Sequence, residues 1–200
     1  MKNSKLRRAL MLAACAVMLV CLSVGATLAY LTDNESVTNT FTVGKVEIVL
    51  DETDVDESET DTTTEGRDRE NAYHLYPGHE YVKDPIVHID SESDNCWIFV
   101  KVENGIEAIE DSANTIAAQM AALGWSVVDG ETNVYAYKEI VGAGMNIPVF
   151  QSFKIAGTVE NATLAQYEDA EIVVTAYAVQ ADGFGSAQAA WDATFGAPTT

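Results

Sequence analysis

Cys96-Trp97-Ile98-Phe99-Val100-Lys101-Val102 decides the fold. The run is β-branched or aromatic on both faces of an extended chain, which predicts a central strand covered on both sides. Before it, the turn Pro77-Gly78 separates a strand beginning at Tyr73 from a longer one over Glu80 to Asp90, where Pro85 demands an edge position or a bulge. After it, Ile106, Ile109, Ile116, Met120 and Leu123 recur at roughly helical spacing up to Gly124 and predict one amphipathic helix. Trp125 to Val128 and Val134 to Lys138, parted by Asp129-Gly130, read as a hairpin. Ile147 to Ile155, with an early Pro148, and Glu171 to Gln180 complete the strands. Ser186 to Phe195 reads as a short helix that docks through Trp191. Short strands without a βαβ rhythm define an all-β class, an antiparallel jelly-roll-like β-sandwich with one or two accessory helices, preceded by an N-terminal signal helix.

The domain starts where Val46, Ile48 and Leu50 alternate with Lys45 and Glu47, the signature of a half-buried strand over residues 41 to 50. Asp51 to Glu70 is nearly all Asp, Glu and Thr, too polar to offset its ordering entropy by burial. It reads as a solvated acidic loop, 51–70. Its carboxylates could collect calcium, but it lacks the glycine and closing glutamate of an EF-hand loop, so no cofactor is assigned.

Residues 1–29 have the order of a secretory signal peptide: basic Met1 to Arg8, apolar Ala9 to Leu22, then Gly25-Ala26-Thr27-Leu28-Ala29. Cleavage after Ala29 puts Thr27 and Ala29 at the −3 and −1 positions and makes Tyr30 the new N-terminus. Cleavage after Ala26, an uncleaved anchor, and lipidation at Cys15 in Leu12-Ala13-Ala14-Cys15 are the competing readings. Processing at Ala29 leaves residues 30–40 as a mature N-terminal segment and 41–197 as the β-sandwich domain.

The chain carries a formal charge of −20; Lys2, Lys5, Arg7 and Arg8 go with the leader, leaving 7 basic against 31 acidic residues, 7 − 31 = −24. Such a surface repels phosphate backbones, so nucleic acid is excluded as a partner. Cys15 and Cys21 also leave with the leader, so Cys96 remains alone and reads as a packed small hydrophobe.

No nucleophile elbow, phosphate loop or Cys/His pair at useful spacing occurs, and no catalytic residue is assigned. His79-Glu80 and His88 are metal-ligand candidates only in type. An HExxH box needs histidines four apart on one helix face, whereas these stand nine apart with Pro85 between. A surface row of His88 with Asp84, Ile86 and Asp90 is the preferred reading.

Gly25-Ala26-Thr27-Leu28-Ala29-Tyr30-Leu31-Thr32-Asp33 and Asn39-Thr40-Phe41-Thr42-Val43-Gly44-Lys45-Val46 resemble the leader junction and first strand of the TasA/camelysin family of bacterial exported proteins. Tyr76-Pro77-Gly78, Ala176-Tyr177-Ala178-Val179-Gln180 and Trp191 are looser likenesses. The resemblance implies a secreted structural subunit of extracellular matrix, biofilm or cell-surface fibres. It also implies a dedicated signal peptidase, other matrix proteins as partners, and self-association by donor-strand exchange. The donor segment would carry Tyr30, Leu31, Thr32, Val37 and Phe41. A camelysin-like metallo-endopeptidase and a monomeric surface-binding module are the alternatives.

Overall fold

The computed structural model describes residues 7–8, 11, 14–18, 44–55 and 66–196. The chain divides into two compact units, Met1–Thr42 and Val43–Thr200. The described residues of the first are helical and exposed. In the second, one antiparallel sheet has the strand order β2 (Arg67–Asp68), β1 (Ile48–Thr53), β4 (Ile86–Ile89), β8 (Asn146–Pro148). Another has the order β10 (Ile172–Gln180), β5 (Cys96–Asn104), β7 (Val134–Tyr137), β6 (Trp125–Val127). A short pair joins β3 (Glu80–Val82) to β9 (Ser152–Lys154). Three short helices accompany them: α1 (Ile116–Leu123), α2 (Asn161–Leu164) and α3 (Ala187–Thr194).

β5 is the central strand that its composition requires. Cys96, Ile98, Val100 and Val102 point to one face and join Val87 and Ile89 of the other sheet, with Phe150, Phe153 and Ile155, in a common core. Trp97 and Phe99 point to the opposite face, where Val179, Ala190 and Trp191 cover them. The tail helix therefore docks as its sequence predicts, started by Ser186, whose Oγ accepts the Ala189 N–H at 3.2 Å. The hairpin also forms, with Trp125 opposite Tyr137 and Val127 opposite Tyr135.

Cys96 is fully buried, and burial pushes its thiol up to about 11. Protein lacking residues 1–29 should therefore resist a thiol reagent such as DTNB at pH 8 until it is unfolded, since only the thiolate reacts. Rapid stoichiometric labelling of the folded protein would contradict this burial.

Several segments depart from the sequence expectations. The long strand over Glu80 to Asp90 breaks at Lys83-Asp84-Pro85, so β3 and β4 belong to different sheets. Its partner segment breaks opposite, between β8 and β9, and the two stay tied at the bend by Lys83 N–H to the Gln151 carbonyl (3.4 Å) and Val149 N–H to the Pro85 carbonyl (2.9 Å). Pro85 has no N–H to give a ladder, and the chain changes sheets where that donor is missing. The expected single helix over Ile106 to Leu123 is a 3₁₀ turn, Glu107–Ile109, followed after an interruption by α1. Asp111 Oδ1 accepts the Ala113 N–H at 3.0 Å and Thr115 Oγ1 caps α1 through the Ala118 N–H at 3.2 Å. These local bonds outcompete helix continuation. Gly124 ends α1 at φ 97°, a left-handed conformation that suits glycine.

The acidic loop is the third correction. β1 starts at Ile48 and runs on through Asp51, Glu52 and Thr53, and Arg67–Asp68 form β2 against it. Asp51, Glu52 and Asp68 are buried, not solvated. Residues 56–65 lie outside the described residues. The strand expected from Tyr73 is irregular instead, held by the Tyr81 hydroxyl, which accepts the Tyr76 N–H at 2.6 Å and donates to the His74 carbonyl at 2.8 Å.

Candidate functional site: a cleft beside the β10 edge

β10 pairs with β5 along its whole length, from Ile172 opposite Asn104 to Gln180 opposite Cys96. Just beyond each end, Gly105 N–H donates to the Glu171 carbonyl and Ala181 N–H to the Asn95 carbonyl, both at 2.8 Å. Odd-numbered residues thus direct their backbone groups at β5. In an antiparallel ladder the alternate residues must then direct theirs the other way. Those are Ile172, Val174, Ala176, Ala178 and Gln180, and among the described residues no strand pairs with that edge. Gly105 lets the two strands meet at the turn: a Cβ there would sit 2.7 Å from the Glu171 carbonyl oxygen.

Beside this edge lies an open cleft of about 1360 Å³, walled by β10 on one side and β1 on the other. Leu50, Leu75, Ile106, Tyr167, Ile172 and Val174 supply much of its apolar lining. Apart from Ile106, these side chains are only partly buried, although all belong to the main core. The sheets therefore leave a seam of mixed apolar and polar surface next to a strand edge that meets no partner among the described residues, and such an edge can template an added strand.

A polar clamp fixes the β1 wall. The Arg67 guanidinium pairs with the Asp51 carboxylate and donates to the main-chain oxygens of Asp51 (3.0 Å) and Asp84 (3.2 Å). Although burial lowers it, the Arg67 guanidinium is raised on balance because Asp51 and Asp84 hold its proton. Asp84 in turn accepts from the Thr53 N–H at 2.7 Å and its hydroxyl at 3.0 Å. On the neighbouring side, Lys83 Nζ reaches both Glu52 oxygens, at 2.9 and 2.7 Å, and Asn71 Nδ2 donates to Glu52 at 3.0 Å.

The histidine candidates are not gathered into one site. His88 lies on β4, its Nε2 2.9 Å from Asp51 and its Nδ1 2.7 Å from Asn146 Oδ1. His79 packs its ring between Tyr76 and Tyr81, and Glu80 accepts from the Ser152 hydroxyl at 2.8 Å. Among the described residues no group of three or more His, Cys, Asp or Glu is placed to hold a metal ion. Thr27, Ala29 and Tyr30 of the cleavage junction, and Leu31, Thr32, Val37 and Phe41 of the donor segment, lie outside the described residues. The cleft and the clamp escaped the sequence reading; the one available signal was the cations Arg67, Arg69 and Lys83 set against an acidic run.

No protein-family model, no curated protein and no solved structure matches this chain.

Proposed function

We propose that this chain is a secreted structural subunit of extracellular matrix, biofilm or cell-surface fibres. Its leader is removed near Ala29 by a dedicated signal peptidase, and its segment Tyr30–Thr40 pairs with the open β10 edge of the next copy. The observation that carries this reading is the coincidence of five β10 residues whose backbone groups meet no strand among the described residues with an open cleft whose lining is about half apolar. Strand addition supplies both missing partners at once: main-chain bonds to the edge and alternate side chains to the groove. At about 3.3 Å per residue, β10 offers roughly 30 Å of edge, enough for most of an eleven-residue segment. Gly44, the first described residue after that segment, sits at the end of β10, where a Cβ on it would stand 2.8 Å from Gln180 Nε2. A jelly-roll-like sandwich completed by the incoming strand is the fold reading that goes with it, supported by two antiparallel sheets sharing one core. Partners among other matrix proteins belong to the same proposal.

The test uses the full chain expressed in an exporting bacterial host. Leu31→Asp, Val37→Asp and Phe41→Asp together should leave secretion intact and abolish fibres seen by electron microscopy; undiminished fibres would defeat the reading. Fibres regrown from the secreted wild-type subunit should form faster as salt rises, because a charge of −24 per copy opposes stacking until it is screened.

A further inference from the structure

We infer that Lys83 and Asn71 join through a side-chain amide bond, formed with Glu52 as the acid–base group. The three residues come from separate segments: Glu52 from β1, Asn71 from the chain just after β2, and Lys83 from the bend after β3. Lys83 Nζ lies 2.9 Å from Glu52 Oε1 and 2.7 Å from Oε2, and Asn71 Nδ2 donates to that same Oε1 at 3.0 Å. Because both nitrogens touch one oxygen, they stand no farther apart than those two contacts laid end to end. The Lys83 and Glu52 side chains are only 11% and 5% exposed, and the Tyr73 ring lies 5.9 Å from Nζ. Amine, acid and amide are thus held together away from bulk water, which is where proximity counts most.

Asn71 is oriented as acyl transfer requires. Its Oδ1 accepts the Val55 N–H at 2.8 Å, a main-chain donor placed where negative charge grows when the carbonyl is attacked. Its Nδ2, the leaving nitrogen, faces Glu52 and also donates to the Thr53 carbonyl at 3.0 Å. The step balances within these groups. Lys83 passes one proton to Glu52, and the neutral amine attacks Asn71 Cγ. Glu52 then gives its proton to Nδ2 and takes the second one from Nζ, the Cγ–Nδ2 bond breaks, and ammonia leaves with the remaining proton as ammonium. Nothing is oxidised or reduced, so no co-reactant is needed. Glu52, Asn71 and Lys83 all line the cleft, which gives the ammonia a way out. The product closes the irregular chain between the two residues into a loop and removes freedom from the unfolded state, as a disulfide does.

Peptide mass analysis of the secreted protein from the exporting host tests this. After denaturation, trypsin should cut at Arg69 and Lys101 but not at Lys83, releasing residues 70–101 as one peptide lighter than its sequence by one ammonia. Asn71→Ala and Lys83→Arg should each restore full mass and cleavage at position 83. Glu52→Gln keeps the shape of the side chain, so it should be secreted and folded by circular dichroism, yet the joined fraction should fall at least tenfold. Complete cleavage at Lys83 without a mass deficit in wild type overturns the bond, and that measurement holds whether or not any variant folds. A deficit that survives in Lys83→Arg belongs to a cyclised Asn71 and overturns it too. Undiminished joining in Glu52→Gln overturns the part given to Glu52. The bond lies within one chain, so these results are independent of whether fibres form.

Discussion

Replacing Arg67 with alanine should lower the unfolding free energy by about 3 kcal/mol, the low end for stripping one partner from a buried ion pair, because the arginine itself stays partly exposed. The asymmetry lies with its partner. The Asp51 side chain is 2% exposed against 19% for Arg67, so the carboxylate depends on the guanidinium far more than the reverse. Arg67 also bonds the Asp51 and Asp84 main-chain oxygens, tying β1, β2 and the bend before β4 together. Arg67→Lys should fall between wild type and alanine, since one ammonium cannot reproduce the planar fork. The double variant Asp51→Ala/Arg67→Ala should be less destabilised than the sum of the singles, because it also removes the buried carboxylate that has lost its arginine. Urea unfolding of protein lacking residues 1–29 measures all four. A loss below about 1 kcal/mol for Arg67→Ala, or strict additivity in the double variant, would show that the clamp is not what holds this corner.

That clamp marks the limit of what the amino-acid sequence discloses. β5, the hairpin of β6 and β7 and the docking of Trp191 are legible because each is written in neighbouring residues: two apolar faces, an Asp-Gly turn, an aromatic in a short helical run. The burial of Asp51 and Glu52 is not local. It depends on Arg67 and Lys83, which are 16 and 31 residues away from them and reach them only after the strands pair. Charge counting therefore assigns these carboxylates to solvent, and errs. Pro85 likewise announces that the ladder must fail, yet whether the strand bulges, edges or changes sheets depends on its partner, and the matching break between β8 and β9 has no proline at its centre. The cleft is harder still, being a relation between β1 and β10 over more than a hundred residues. Ile48, Leu50, Ile172 and Val174 look like ordinary core positions in sequence, and only the structure shows them half-covered.

Trp191→Ala should cost about 4 kcal/mol, within the range for emptying a buried tryptophan site. Trp191 is 7% exposed and sits at the centre of an aromatic group, with ring centroids 5.1 Å from Phe99, 5.7 Å from Tyr177 and 4.6 Å from Phe195. Its helix has eight residues, too few to persist alone in water, so α3 owes its order to this contact. Losing the anchor would therefore uncover Trp97, Phe99 and Val179 on the outer face of the sheet, and the variant should aggregate on heating where wild type refolds. Phe195→Ala supplies the comparison. That ring is 43% exposed and lies past the end of the helix, so its loss should cost under about 1 kcal/mol. Urea unfolding followed by far-ultraviolet circular dichroism distinguishes the two. Equal small losses would mean that α3 rests on the sheet without stabilising it. The outer face of β10 would then have to be held by its pairing with β5 alone, and the open edge on its other side would belong to a much looser strand than an acceptor for a neighbouring copy requires.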